Sequence, residues 1–386
     1  MKQIPYGRQS ISEEDIAAVV SVLKSDFLTQ GPAVPAFEAA LCAYTGAAHA
    51  LAVNSATSAL HIACLALGVG PGDTVWTTPN TFLATANSAR YCGASVDFVD
   101  IDPVSHNLCA QALATRLAAA QRSNTLPKVV IPVHFAGQPA DMAAIHELSK
   151  QYGFGVIEDA SHAIGGSYRG EPVGRGSYSD VTVFSFHPVK LITTAEGGAA
   201  LTQNADLAAK MALFRSHGMT RDPALLQDQS QGPWYYEQHA LGFNYRLTDM
   251  QAALGVSQMR RLDEWVARRH EIADRYDAAL ANLPVITPRR VPGSRSALHL
   301  YVINLVEGAT PGRRKVFESM RAQGIGVNVH YIPVHLQPDF RQFGRGKGDY
   351  PVAEHYYETA ISLPMYASLG NDDQDHVIAC LRRALT

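Results

Sequence analysis

Lys190 stands in "SFHPVKLITTAEGGA" (185–199), between the apolar run "DVTVFSF" and the short run "GGAALT". Both runs read as buried strands, so the lysine lies on the turn that joins them. A lone lysine on a turn would lay its stem on apolar surface and keep its ammonium in water. A buried ammonium is costly unless it is paired or used, and an amine held there can attack a carbonyl carbon. Three other stretches supply what such chemistry needs. In "GVIEDA" (155–160) the apolar run ends at Glu158 and Asp159. At least one carboxylate therefore sits at the C-terminal end of a buried strand, where ligands of open α/β sheets collect. In "NSATSALH" (54–61) a strand passes through small residues into a helix. Its first N–H groups, with the hydroxyls of Ser55, Thr57 and Ser58, make an anion site. The same residue types also serve as ordinary helix caps. In "TPNTFLATAN" (78–87), Phe82 follows a strand end; it either fills the core or covers a flat ring.

An amine, a carboxylate, an anion cradle and an aromatic plate together describe a site for pyridoxal phosphate (PLP). That group needs an amine for its aldehyde, an anion for its pyridinium and donors for its phosphate. At about 4 Å and an effective dielectric of 20, a carboxylate–pyridinium pair gains roughly 4 kcal/mol. That is about three pKa units, enough to keep the ring nitrogen protonated. A protonated His162 would oppose this charge, so Asp159 is the better partner for the ring.

These residues need a large α/β frame. From about residue 47, short β-branched runs alternate with helical stretches: "HALAVNS", "TVWTTP", "SVDFVDI", "KVVIPVHF", "GVIEDA", "VTVFSF" and "GAALT" read as strands. Runs that are apolar throughout suit a sheet covered on both faces. The expectation is an α/β domain with a mainly parallel sheet. Residues 247–282 show helical periodicity almost without a breaker and fit one long helix or two joined ones. After "LPVITPRRVPGSRS" a smaller βα section begins at "LHLYVINLV". We expect a PLP-binding domain over 1–260 and a C-terminal domain over 261–386. The stretch 219–241 is too long and mixed for a simple connector and reads as a functional loop.

Composition narrows the class. Of 386 residues, 47% are hydrophobic and 17% charged, which is too apolar for disorder, and the net charge of -3 gives no basic excess for nucleic acid or a membrane surface. No apolar run approaches the length of a membrane span, and "MKQIPYGRQS" lacks the apolar stretch of a signal peptide. Five cysteines without CxxC spacing read as reduced, buried thiols and argue against zinc. The expected location is the cytoplasm, and no metal is expected.

With these residues assembled, the chain resembles the sugar aminotransferases of the DegT/DnrJ/EryC1/StrS family, a fold-type-I PLP group. The markers run from "LTQGP" (28–32) through "NSATSALH", "EDASHAIG", "FSFHPVK", "AEGG", "FRSHGM" (214–219) and "GFNYRLTDMQAALG" to "VHYIPVH" (329–335). The resemblance implies a mixed-sheet large domain and a smaller C-terminal α/β domain. It implies Lys190 as the cofactor-linked lysine and Asp159 as the partner of the ring nitrogen. Ala56, Thr57 and Ser185 match phosphate-binding positions, and Asn244 a phosphate contact reaching in from the neighbouring subunit of a homodimer. Phe82 falls where an aromatic covers the ring, and His162 lies beside the cofactor's edge. Tyr6, the segment Asp26, Phe27, Leu28 and Thr29, and the segment Asn328, Val329, His330 and Tyr331 fall at substrate-binding positions.

Several motifs look most like the branch that aminates UDP-4-keto-6-deoxy-N-acetyl hexoses for pseudaminic acid, with L-glutamate as donor. The alternative is another UDP- or dTDP-keto-sugar. Trp234, Tyr235 and Tyr236 either stack on a base or anchor their own loop. Family members with histidine at the lysine position dehydrate rather than transaminate, and Lys190 argues against that activity. His187, three residues earlier, reads as structural. A lyase or aldolase acting on a free amino acid, or a PLP-holding regulatory protein, are the rival readings.

Overall fold

A computed structural model describes residues 3–228 and 230–386. Its centre is a seven-stranded mixed sheet built from β1 (His49–Val53), β2 (Thr74–Thr77), β3 (Ser95–Phe98), β4 (Val129–Ile131), β5 (Gly155–Asp159), β6 (Val181–Ser185) and β7 (Gly198–Thr202). Their spatial order is β1-β7-β6-β5-β4-β2-β3. Strands β6, β5, β4, β2 and β3 run parallel, and β7 runs antiparallel to both β6 and β1. The apolar runs of the sequence become strands buried on both faces, β4, β6 and β7 along their whole length.

The reversal at β7 decides where the site lies. Gly198, the first residue of β7, pairs with Val53 at the end of β1 and with Ser185 at the end of β6. The loops leaving β1, β2, β5 and β6 and the loop entering β7 therefore gather on one edge of the sheet. Two of them lead into helices, α3 (Ala56–Ala66) and α4 (Leu83–Tyr91). In α3 almost every residue after the first turn is buried against the sheet, as its small, apolar sequence requires. At roughly 1.5–3 kcal/mol for each fully buried large apolar side chain, Leu60 and Ile62 are strong anchors for this helix.

The region 247–282 forms two helices, α8 (Asp249–Met259) and α9 (Leu262–Leu280), separated at Arg260 and Arg261. Helix α9 serves two cores. Leu262, Trp265 and Val266 pack with Phe37, Phe184 and Phe186 against the large sheet. Ile272, Tyr276 and Leu280 pack with Ile303, Val316 and Leu381 in the C-terminal core. That second core covers an antiparallel sheet of β10 (Val285–Ile286), β11 (Tyr301–Leu305) and β12 (Ala360–Leu363). We retain a division at 260/261 as a proposal, with α9 as the element shared by both cores.

The chain ends cross between the two parts, and this brings distant residues together. Ile4 exchanges backbone hydrogen bonds with Gly324 and Gly326, which carries Tyr6 to the segment 325–331. A Cβ at Gly326 would come within 2.9 Å of Pro5 Cα, so the approach needs glycine there. Asn328 exchanges two backbone bonds with Ser362 of β12. Tyr331 N–H then bonds Asn80 Oδ1 at 3.3 Å, and Val334 N–H bonds the Pro79 carbonyl at 2.9 Å. Farther on, Asp97 of β3 accepts from Arg345 Nη2 at 2.7 Å and from Tyr350 Oη at 3.1 Å.

The stretch 219–241 contains a small hairpin of Met219–Thr220 and Glu237–Gln238. Its turn is organised by Glu237, whose carboxylate accepts from the N–H groups of Gln227 and Asp228 at 2.9 Å. Among the described residues no helix is long and apolar enough to cross a membrane.

Candidate active site

A cavity of about 550 Å³ opens at the gathered strand ends. Tyr6, Ala56, Thr57, Phe82, Asp159, His162, Ser185, Lys190 and residues 328–331 all line it. Residues from six separate stretches of sequence thus meet at one place.

Lys190 sits on the turn between β6 and β7, its backbone N–H bonded to the His187 carbonyl at 2.9 Å. Burial lowers its pKa to about 8, against a smaller opposing pull from Asp159. The residue lines the cavity, and its surroundings disfavour the ammonium enough to leave a minor but usable fraction of free amine near neutral pH. His187 is exposed at the cavity wall.

Strand alternation separates the two carboxylates of "VIEDA". Glu158 turns away from the cavity to meet His134 Nε2 at 2.7 Å, and it accepts from the hydroxyls of Ser179 and Thr182. Asp159 faces the cavity. Thr85 Oγ1 donates to its Oδ2 at 2.6 Å, and Ser161 donates to its Oδ1 through its hydroxyl at 2.6 Å and its N–H at 3.1 Å. Thr81 and Thr85 hydroxyls are in turn 2.7 Å apart. Two hydroxyls and an N–H therefore fix the orientation of this carboxylate as an acceptor on the cavity wall.

The anion cradle differs from the sequence expectation in its hydroxyls. Ser55 caps α3, accepting from Ser58 N–H at 3.1 Å, and Ser58 Oγ donates to Asn54 Oδ1 at 2.6 Å. Two of the three expected hydroxyls are spent on the cap. What remains are the N–H groups of Ala56 and Thr57, which open α3 and have no carbonyl one turn earlier to bond. Gly198 makes room beside them: a Cβ there would lie 2.4 Å from Ala56 N.

Phe82 is 59% exposed, so it is a cavity wall and not core. His162 is buried, and burial with the charge of Lys190 drives its pKa well below the usual imidazole value. The same causes lower His330 to about 4. His299, whose ring centroid lies 4.4 Å from that of His162, is likewise held neutral, with burial the main cause. Tyr6 packs on His330 with ring centroids 5.4 Å apart, and Asn328 Nδ2 stands 3.3 Å from His330 Nε2.

Asp26, Phe27, Leu28 and Thr29 do not line the cavity of their own chain and are exposed. Asn244 is also exposed and outside it. Trp234, 74% exposed, lies outside it with Tyr235 and Tyr236. Sequence reasoning did not single out Thr85, Thr81 or His299. Thr85 had a signal: it follows Phe82 by three residues and so shares its side of the first turn of α4. His299 had none, because its approach to His162 depends on how β11 meets the large sheet.

Residues 9–382 match the DegT/DnrJ/EryC1/StrS aminotransferase family. The chain is 41% identical over 385 residues to the spore coat polysaccharide biosynthesis protein SpsC of Bacillus subtilis, covering 98% of this chain and 96% of that protein. It is 38% identical over 377 residues to the UDP-4-amino-4,6-dideoxy-N-acetyl-beta-L-altrosamine transaminase of Campylobacter jejuni, covering 97% and 95%. Among solved structures, Helicobacter pylori PseC, an aminotransferase involved in the biosynthesis of pseudoaminic acid, superposes with a TM-score of 0.91 at 33% identity, covering 100% and 99%. The PLP form of a putative sugar aminotransferase, Spr1654 from Streptococcus pneumoniae, gives 0.88 at 28% identity, covering 100% of both chains.

The residues present fit PLP. The Ala56 and Thr57 N–H groups and Ser185 would hold its phosphate, Asp159 its ring nitrogen, and Phe82 one face of the ring. When bound, PLP supplies an aldehyde for an amine and a ring that stores an electron pair. Lys190 Nζ, with its lowered pKa, would be the amine that holds the aldehyde end and the group that takes up or releases a proton beside it. Asp159, fixed by Thr85 and Ser161, would be the anion that faces the ring nitrogen and favours its protonated form. This chain belongs to the DegT/DnrJ/EryC1/StrS family and is a PLP-dependent sugar aminotransferase.

Proposed function

We propose that the chain transfers the amino group of L-glutamate to C4 of a UDP-linked 4-keto-6-deoxy-N-acetyl hexose, the step used in pseudaminic acid biosynthesis. The observation that carries this reading is the wall formed by Tyr6, Asn328, His330 and Tyr331 across the cavity that holds Lys190. The cradle at Ala56 and Thr57 is taken by the cofactor's phosphate, so a nucleotide needs other contacts, and this wall offers aromatic faces and amide donors. The likeness to the Campylobacter transaminase, named for a UDP-4-amino-4,6-dideoxy-N-acetyl sugar, supports the same substrate class.

The protein works as a cytoplasmic homodimer with shared sites. Exposed Asn244, and the exposed run from Asp26 to Thr29, then serve the neighbouring subunit's cavity. A second reading, another UDP- or dTDP-keto-sugar, draws on the comparable identity to the spore coat protein and on the loop 219–241. The test follows 2-oxoglutarate formation from glutamate with a panel of UDP- and dTDP-4-keto sugars, including C5 epimers. Preference for a UDP-4-keto N-acetyl sugar supports the proposal. Preference for a dTDP sugar, or for a ketone at C3, overturns it in favour of the second reading.

A further inference from the structure

Tyr331 has a phenol proton with no acceptor among the described residues, and its neighbours determine that. The Ala136 N–H donates to His162 Nδ1 at 3.3 Å. A backbone N–H can only donate, so Nδ1 carries a lone pair. The ring is held neutral by burial and by the charge of Lys190. A neutral imidazole has one N–H, which is therefore on Nε2. Nε2 stands 3.1 Å from Tyr331 Oη. His162 is thus the donor of that bond and Tyr331 the acceptor, which leaves the phenol's own proton unspent among the described residues.

The side chain is held in place. Its ring packs between Phe135, Phe82 and His330, with centroids 6.1, 6.2 and 5.0 Å away. Tyr356 Oη bonds the His330 carbonyl at 2.9 Å and fixes the backbone just before it. Burial, and then the charge of Asp159, oppose loss of the phenol proton. Tyr331 is therefore a standing O–H donor on the cavity wall shared with Lys190 and Asp159.

We propose that Tyr331 donates a hydrogen bond to the ketone oxygen of the sugar as nitrogen adds to the carbonyl carbon, which makes it a catalytic residue beyond its place in the binding wall. The inference rests on the keto-sugar reading above. When nitrogen adds, the π pair of C=O moves onto oxygen, and a donor held on the cavity wall beside that oxygen would stabilise the charge with little rearrangement. The bond accepted from His162 polarises the phenol and strengthens the one it gives. A ring oxygen of the cofactor would compete for the same proton, and the test separates the two.

The variant is Tyr331→Phe in the full-length holoenzyme, which removes one oxygen and no ring packing. The two half-reactions are followed separately by rapid mixing: amino-group uptake from glutamate, and delivery to the keto sugar that the wild type turns over fastest. A wild type that rejects every UDP-4-keto sugar counts against the substrate proposal alone, since the comparison then proceeds with whichever keto sugar it accepts. The expected result is a delivery step slowed about 10²–10³-fold. Uptake from glutamate stays within about threefold, and the pH midpoint of the lysine-linked cofactor's visible band does not move. A delivery step slowed less than tenfold overturns the proposal. So does equal slowing of both half-reactions, or a shifted band midpoint, which would assign the proton to the cofactor.

Discussion

Thr85 Oγ1 donates to Asp159 Oδ2 at 2.6 Å, a bond that ties the first turn of α4 to the C-terminal end of β5. Two elements that each contribute a wall of the cavity are thereby fixed to one another. A hydrogen bond to a charged group contributes roughly 1.5–3 kcal/mol. Thr85→Val should therefore weaken PLP binding about 10- to 100-fold, measured by equilibrium titration of the apo protein, and Thr85→Ser should restore most of it. Unchanged PLP affinity in the valine variant would show that Ser161 alone suffices to orient Asp159.

Lys190→Ala should abolish both turnover and the lysine-linked visible band while leaving the fold largely intact. A band that persists would assign the cofactor to another lysine. In the wild type, the rate of covalent PLP capture should titrate near pH 8, where burial places this amine, and not near the ordinary 10.5. The same shift carries a stability consequence. Between pH 8 and 10.5 the unfolded chain holds a proton on Lys190 that the native state has lost, so apo stability from this group rises with pH across that window. Lys190→Met should remove that rise, measured as melting temperature against pH.

Gly198→Ala tests the cradle. The added Cβ would lie 2.4 Å from Ala56 N and 2.6 Å from Ser55 C, backbone atoms that cannot swing aside. Strand β7 and the start of α3 must then separate, at about 1–3 kcal/mol of stability. PLP affinity should fall much more than affinity for pyridoxal, which lacks the phosphate. Equal losses for the two ligands would place the phosphate elsewhere.

Asn244 stands exposed outside its own cavity, and this frames a test of shared sites. A Lys190→Ala chain mixed with an Asn244→Ala chain should regain part of the activity that each lacks, because one hybrid site holds both residues. Absence of complementation, with subunit exchange demonstrated by differential tagging, would return Asn244 to its own subunit.

Asp159→Ala should retain some PLP and lose most turnover, since the ring nitrogen would no longer have an anion to hold its proton. Near-normal turnover would remove Asp159 from the reaction.

By itself, the sequence determined the class of chemistry and its chief residues. Lys190 between two apolar strands, a carboxylate ending "GVIEDA" and a small-residue turn into α3 are local patterns, and burial costs make each of them readable without coordinates. It left the choice between Glu158 and Asp159 to charge arguments; the structure made it by strand alternation, sending Glu158 to His134 and Asp159 to the cavity. The Ser55 and Ser58 hydroxyls were legible as polar groups near an anion, but only the folded α3 shows them consumed by its own cap. Tertiary structure alone brought Tyr6 to His330, through the pairing of Ile4 with residues 324–326. It alone aligned Ala136, His162 and Tyr331 so that a single backbone N–H sets which proton the phenol can offer. Such contacts join residues far apart in the chain, and hydrophobic periodicity carries no signal for which loops will meet.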